Sequence, residues 1–226
     1  GESVEPGAHD PCADVRFLEN ELDQWYLGIL KKSWQKFSRS MQQVSGKVYE
    51  AIAKQMSGLN VTEDAAKYSI LKLKLPEKPQ DWTEQQMLAL ARDLRLATKP
   101  MLIAANKMDL PTSSANLAKL KETFPDLHIV ACTADLELAL REATKKELIK
   151  YVPGSDSFEI IGNLEPNQQK GLDYIAKTIK DLGSSGIQEA INHSVFNLLK
   201  YMAIFPGGVN NLVDKDGNVL PDVFLM

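Results

Sequence analysis

The feature that most constrains the fold of this chain is an apolar run that ends in an N-K-x-D motif. Met101-Leu102-Ile103-Ala104-Ala105 has the continuous apolar character of a buried strand, and Asn106-Lys107-Met108-Asp109 follows it directly. In open α/β sheets, ligands bind just beyond the carboxyl ends of the strands. The stretch therefore predicts an α/β fold with a ligand site at this strand end.

The side chains of the motif suit recognition of guanine. The Asp109 carboxylate can accept hydrogen bonds from guanine N1–H and from its 2-amino group, whereas adenine presents an acceptor and a C–H at those positions. Lys107 would lay its aliphatic stem along the base, and Asn106 would brace neighbouring loops. The alternative is an ordinary strand-end turn with a solvated Lys107 and with Asp109 capping the next helix.

A second predicted strand supplies the other side of such a pocket. Leu127-His128-Ile129-Val130-Ala131 has the pattern of the next strand, and Cys132-Thr133-Ala134 follows it. A short turn of small residues can bring a backbone N–H, here from Thr133 or Ala134, close to the O6 atom of guanine. Small residues are common at strand ends, so the turn gains weight from its spacing after N-K-x-D. The candidate guanine-binding residues are therefore Asn106, Lys107, Asp109, Thr133 and Ala134.

A phosphate-binding loop of the form G-x-x-x-x-G-K-[ST] does not occur in this sequence. Gly46-Lys47 is a partial match, but Met41 stands where the first glycine belongs and Val48 where the hydroxyl belongs. A glycine that ends a helix, followed by a surface lysine, explains this pair better. We assign no catalytic residue and expect base recognition without its phosphate-binding counterpart.

Composition excludes several other classes of protein. The 226 residues are 44% hydrophobic and 25% charged, and the net charge of -4 gives no global nucleic-acid signal. No apolar stretch is long enough to span a membrane and no signal peptide opens the chain, so we expect a cytoplasmic protein without membrane or DNA partners. Cys12 and Cys132 are expected to be reduced thiols. His9, His128 and His193 lack metal-ligand spacing, so no metal site is predicted.

Helical periodicity dominates the chain before the first strand. It predicts a long helix from Pro11 to about Gly46 that bends at Gly28, then helices from Val48 to Gly58, from Thr62 to about Leu71, and from Thr83 onward. The apolar residues expected to form their core include Leu22, Trp25, Leu30, Trp34 and Leu90.

Alternating strands and helices follow. The predicted elements are strands at 100–105 and 127–131, a helix at 114–123, short helices to Lys150, a helix from Pro166 to Gly183, a helix at 187–199, a strand at 201–206 and a hairpin turn at 214–217. The apolar end at 223–226 would leave a strand edge unpaired, which favours a truncated final domain.

Several segments, in the same order along the chain, resemble the Obg-like, YchF-type GTPases, particularly their archaeal branch. They begin near the first residue and continue nearly to the last. The matching segments are Val4-Glu5-Pro6-Gly7-Ala8-His9-Asp10-Pro11, Phe17-Leu18-Glu19 through Trp34, Ala104-Ala105-Asn106-Lys107-Met108-Asp109, Ala139-Leu140-Arg141-Glu142-Ala143, Tyr151-Val152-Pro153-Gly154, Gly186-Ile187-Gln188-Glu189-Ala190-Ile191 and Asp216-Gly217-Asn218-Val219-Leu220-Pro221-Asp222.

This resemblance implies a partial P-loop GTPase (Rossmann-like) domain with a helical insertion, followed by the start of a β-grasp TGS domain. The implied domains are the insertion at 1–98, the second half of the GTPase domain at 99–200 and a truncated TGS domain at 201–226. GTP is the implied ligand, with Mg²⁺ expected only in a full-length protein that acts as a GTPase on ribosomes, RNA or translation. Some YchF relatives carry N-x-x-E and prefer ATP, whereas Lys107 and Asp109 favour guanine. Without phosphate ligands, the chain alone is expected to be inactive.

A non-enzymatic module that binds protein or RNA is the competing interpretation, with N-K-x-D as a vestige. Lys31, Lys32, Lys36 and Arg39 form a modest basic patch on the first predicted helix. Such a patch is more often a solvated helix face than an RNA site. A phosphate loop in the upstream coding sequence would decide in favour of the GTPase.

Overall fold

A computed structural model of the protein describes residues 10–32, 34, 47–205, 213, 218 and 224–225. The chain divides into two compact units, Gly1–Pro100 and Met101–Met226, and each has its own architecture. The predicted continuation of the first helix to Gly46 and the predicted hairpin turn at 214–217 lie outside the described residues.

The first unit is helical, as its periodicity predicts. Its helices are α1 (Pro11–Lys31), α2 (Val48–Gln55), α3 (Glu63–Lys72) and α4 (Glu84–Thr98), with short 3₁₀ turns at Ser57–Leu59 and Pro79–Asp81.

Side-chain caps fix where these helices begin. The Asp10 carboxylate accepts the Cys12 N–H at 3.0 Å, with proline in the first turn. Thr83 and Gln86 form the predicted capping box at the start of α4, each side chain accepting the backbone N–H of the other residue. These local bonds satisfy N–H groups that have no acceptor within their own helix.

The core of the first unit packs around Leu30, Leu90 and Trp34, as predicted, and Trp34 lies with its ring centroid 5.1 Å from that of Trp82. The prediction for Trp25 was wrong, because its side chain is 51% exposed. Trp25 shares the helical spacing of the core residues but precedes the buried Tyr26, which faces the core in its place.

One charged side chain is also buried in this unit. Arg95, in α4, is fully buried and donates from Nε to Asp23 of α1 at 2.6 Å, with Glu19 3.5 Å from its Nη2. This ion pair ties α1 to α4, since a buried guanidinium requires carboxylate partners.

The second unit is mixed α/β. Its elements are β1 (Leu102–Ala105), α5 (Ser113–Thr123), β2 (His128–Ala131), α6 (Ala134–Lys145), β3 (Ile149–Tyr151), β4 (Phe158–Ile160), α7 (Pro166–Leu182), α8 (Ile187–Asn192), a π-helical turn (His193–Leu198), β5 (Ala203–Ile204) and β6 (Phe224–Leu225).

Strands β1 and β2 are parallel neighbours connected through α5. Their register pairs Leu102 with His128 and Ala105 with Ala131, so the two strands end side by side. The predicted arrangement of these strand ends is confirmed.

Two local predictions were wrong in this unit. Lys150 was placed at the end of a helical region, but it lies in β3, which pairs antiparallel with β4. Glu147 has a left-handed φ of 56°, which ends the helical path, and three residues of strand are too few to show an alternating pattern. The helix predicted for 187–199 is α-helical only to Asn192 and continues as a π-helical turn, with Phe196 and Leu199 exposed.

The last strands form a small antiparallel pair. Ala203 pairs with Leu225 and Ile204 with Phe224, so part of the predicted strand at 201–206 is present. Over the residues that the structure describes, no helix is both long and apolar enough to cross a membrane.

Candidate functional site

The carboxyl ends of β1 and β2 are joined by backbone hydrogen bonds that continue past both strands. The Cys132 N–H donates to the Ala105 carbonyl at 2.8 Å, and the Met108 N–H donates to the Cys132 carbonyl at 3.1 Å. Met108 is buried, so the middle of the N-K-x-D motif is anchored at the sheet while its flanking residues stay accessible. The two predicted halves of the site therefore meet.

Lys107 has a left-handed backbone with φ of 66°, which is uncommon for a residue other than glycine. The turn is closed by the Leu110 N–H, which donates to the Lys107 carbonyl at 3.1 Å. It is further held by the buried Ser113, whose hydroxyl reaches the carbonyls of Met108 at 3.0 Å and Leu110 at 2.6 Å. A sharp reversal after Asn106 is thus stabilised from both sides, and Lys107 is exposed at its tip.

Asn106 connects the motif to the small-residue turn. Its Oδ1 atom accepts the Ala134 N–H at 3.0 Å. Asp109 is half-buried and, among the described residues, has no hydrogen-bonding or ion-pair partner. A half-buried carboxylate of this kind can accept hydrogen bonds from the N–H groups of a planar base.

Thr133 is buried and its polar groups are already in use. Its N–H donates to the Ser185 carbonyl at 2.9 Å, and its hydroxyl lies 3.4 Å from the same oxygen. Its carbonyl accepts the Glu137 N–H at 3.1 Å in the first turn of α6. The sequence offers two backbone donors for the base, the N–H groups of Thr133 and Ala134. The Thr133 N–H is bonded to Ser185, whereas the Ala134 N–H is directed toward Asn106 of the N-K-x-D motif.

Sequence reasoning missed a buried polar network behind this turn. The Glu137 carboxylate accepts hydrogen bonds from the Ser185 hydroxyl at 2.5 Å, the Tyr151 hydroxyl at 2.8 Å and Arg141 Nε at 2.7 Å. Glu137, Ser185 and Tyr151 are all buried. A glutamate in the first turn of a predicted helix is ordinary in sequence, and only the fold brings its three donors together.

The environment of this network shifts two pKa values. Burial raises the pKa of Glu137, but the hydrogen bonds from Ser185, Arg141 and Tyr151 outweigh burial, so the pKa of this carboxyl lies below its ordinary value. Burial and the hydrogen bond to Glu137 raise the pKa of the Tyr151 hydroxyl. The network therefore holds an ionised carboxylate and a neutral phenol at neutral pH.

Other reactive side chains of the second unit are placed differently. Cys132 is a buried free thiol whose pKa is raised by burial and by Glu189, so it is a poor nucleophile. The rings of His128 and His193 stack with centroids 3.5 Å apart. The described part of the chain contains no group of three or more side chains arranged to hold a metal ion.

Residues 104–209 match a family described as Obg-like GTPase YGR210-like, G4 motif-containing domain. An uncharacterized GTP-binding protein of Methanocaldococcus jannaschii is 42% identical over 221 residues, covering 96% of this chain and 55% of that protein. One from Schizosaccharomyces pombe is 24% identical over 207 residues, covering 88% of this chain and 50% of the relative.

A solved structure shares the fold. The crystal structure of a GTP binding protein from Pyrococcus horikoshii OT3 has a TM-score of 0.74 and 38% sequence identity, and the match covers 96% of this chain and 58% of that chain. The chain thus spans about half the length of the curated relatives it matches. Residues 104–209 are therefore similar to the G4 motif-containing domain of Obg-like GTPases, and nearly the whole chain is similar to proteins described as GTP-binding.

Proposed function

We propose that this chain carries the guanine-recognition part of an Obg-like GTP-binding protein. The observation that carries the proposal is the 3.0 Å hydrogen bond between Asn106 and the Ala134 N–H, which joins the N-K-x-D motif to the small-residue turn at adjacent strand ends. The names of the relatives, which describe GTP-binding proteins, agree with this assignment.

Each site residue has a role in the proposed contact. The Asp109 carboxylate accepts from guanine N1–H and the 2-amino group, and the exposed Lys107 covers one face of the base. The Ala134 N–H donates to guanine O6. In the structure this N–H donates to the Asn106 amide oxygen, so O6 either replaces that oxygen as the acceptor or shares the N–H with it. Thr133 supports the turn, because its own N–H is bonded to Ser185.

The proposal for the whole protein is broader. We propose a YchF-type GTPase whose phosphate and Mg²⁺ ligands come from a segment other than these 226 residues, with a TGS domain beginning near residue 201. A cytoplasmic role on ribosomes or RNA in translation belongs to the same proposal. It rests on the ordered segments that resemble this family, and on the share of each relative that the chain leaves uncovered.

Substitution of Asp109 tests base recognition. In Asp109→Asn the amide cannot accept both guanine hydrogen bonds, so preference should move from guanine to xanthine, whose 2-oxo group can accept from the amide. The ¹⁵N-labelled chain is titrated with GMP, XMP and AMP, and shifts of the Ala134 and Leu110 amide signals are followed. Wild type should respond most strongly to GMP, and Asp109→Asn to XMP.

The matched control is Asp126→Asn. Asp126 is exposed in the turn before β2, at the end of that strand away from Ala131. It should behave as wild type. An unchanged preference for GMP in Asp109→Asn would remove Asp109 from the site, and equal responses of wild type to GMP and AMP would leave an interaction module as the better explanation.

A further inference from the structure

The small-residue turn Cys132-Thr133-Ala134, which carries the Ala134 N–H, is stabilised by a hydrogen bond from another segment of the chain. Within this turn, Thr133 directly precedes Ala134, and its N–H donates to the carbonyl of Ser185, which lies in the segment between α7 and α8. The position of the Ala134 donor therefore depends on where Ser185 is held.

Ser185 is held by its side chain. Its hydroxyl donates to Glu137 at 2.5 Å, and Glu137 lies in the first turn of α6, immediately after the small-residue turn. The Tyr151 hydroxyl donates to the same carboxylate oxygen and accepts the Gly154 N–H at 3.2 Å. Thr133 is therefore bonded to Ser185, and Ser185 is bonded to Glu137 in α6, the helix that begins directly after Thr133.

The backbone next to Ser185 leaves little freedom for another arrangement. Gly186 has a φ of 76°, and a Cβ atom there would lie 1.8 Å from the Ala131 carbonyl oxygen. The Gly186 backbone therefore packs closely against the end of β2, in the residue directly after Ser185.

We propose that Glu137 and Ser185 are positioning residues for guanine recognition, which hold the Thr133–Ala134 backbone so that the Ala134 N–H meets O6 of the base. This role rests on the proposed function. The network should affect only the O6 side of the base. Asp109, the proposed acceptor for N1–H and the 2-amino group, belongs to the N-K-x-D motif, and within the described part of the chain it has no hydrogen bond to Glu137, Ser185 or Tyr151.

The first test needs no nucleotide. Ser185→Ala removes the hydroxyl that donates to Glu137 but keeps the carbonyl that accepts the Thr133 N–H. Because the segment at Ser185 is then less firmly held, the amide hydrogen-exchange rate of Thr133 should rise by about tenfold. Ser157→Ala is the matched control, since Ser157 is exposed and, within the described ranges, its hydroxyl bonds to Asp156 alone. It should leave the rate at Thr133 unchanged.

The second test compares GMP with 6-thioguanosine monophosphate, which differs only at atom 6, where sulfur is a weak acceptor. The wild-type chain should prefer GMP in amide-shift titrations, and Ser185→Ala should reduce that preference by about tenfold. Partial unfolding would weaken both ligands alike and leave the ratio unchanged. Tyr151→Phe, which removes one donor and leaves Ser185 in place, should give a smaller change in the same direction.

The outcomes separate the two ideas. Suppose that the wild-type chain prefers GMP over AMP, but Ser185→Ala and Tyr151→Phe both match it in the Thr133 exchange rate and in the preference for GMP over 6-thioguanosine monophosphate. This result would overturn the positioning role alone. A wild-type chain that does not distinguish GMP from AMP would overturn the proposed function together with this inference.

Discussion

At the scale of single residues, the site depends on positions whose backbone conformations are unusual. Lys107 and Gly186 both have positive φ, one at the N-K-x-D turn and one beside the end of β2. Lys107 carries a side chain in a conformation that costs free energy, which is typical of functional sites. Gly186 has no alternative, because a side chain there would overlap the backbone of the neighbouring strand.

Gly186→Ala should therefore destabilise the second unit by about 2–4 kcal/mol, because the added Cβ must displace strand backbone and the left-handed φ is strained for alanine. Native-state hydrogen exchange of the β1 and β2 amides measures the loss. Gly171→Ala is the control: Gly171 lies within α7, and outside the adjoining backbone of that helix no atom lies within 4 Å of an added Cβ. Alanine should therefore stabilise that helix by about 0.5–1 kcal/mol. Equal effects of the two changes would contradict the close contact.

Glu137 gives a dependence of stability on pH. Its pKa is lowered in the folded chain, so its stabilising contribution is complete above the ordinary glutamate value of 4.5 and is lost as the pH falls through the lower folded value. Glu137→Gln should be less stable than wild type at neutral pH, but its unfolding free energy should fall less steeply in acid. Urea unfolding followed by circular dichroism from about pH 6 to pH 3 checks this. Parallel curves for the two proteins would show that Glu137 does not contribute.

Among the helices and strands, those with short-range sequence signatures were predicted, whereas those that depend on tertiary contacts were missed. The capping box of Thr83 and Gln86 and the apolar strands around Ile103 and Ile129 have short-range signatures, and the structure confirms them. The β3–β4 hairpin was missed because its three-residue strands are stabilised by pairing with each other. The Glu137 network was missed because its donors are separated in sequence by up to 48 residues.

The helical unit offers a test of which tryptophan belongs to its core. Trp34→Ala should cost about 3–5 kcal/mol, because the buried ring packs against Trp82. Trp25→Ala should cost less than about 1 kcal/mol, because half of that side chain is exposed. Native-state hydrogen exchange of α1 and α4 amides reports both changes without relying on tryptophan fluorescence. Similar costs for the two substitutions would contradict the assigned core.

At the scale of the whole molecule, each compact unit has its own hydrophobic core. One core is built from helices around Leu90 and Trp34, and the other lies around Leu140, Ile149 and Ile179. The candidate site lies entirely within the second unit, at the ends of β1 and β2. The residues proposed for base recognition therefore all belong to the second unit.

The 226-residue chain by itself should hydrolyse no GTP above background. The proposed site residues contact only the base, whereas hydrolysis requires ligands that position and neutralise the γ-phosphate. A phosphate-release assay with purified chain, GTP and Mg²⁺ should stay flat. Sustained turnover that scales with protein concentration would reveal a catalytic site absent from the present assignment, with Asp10, Asp14 and Glu19 as the first residues to substitute.

The bond between Thr133 and Ser185 joins residues 52 positions apart, and this separation imposes an order on biosynthesis. Strands β1 and β2 can pair as soon as residue 131 is available, whereas the turn that follows them gains its support only after residues 185 and 186 have been translated. A nascent chain halted between these points should hold a formed strand pair and an unsupported turn. If the proposed function holds, competence to recognise a base is acquired late, after most of the second unit has been made.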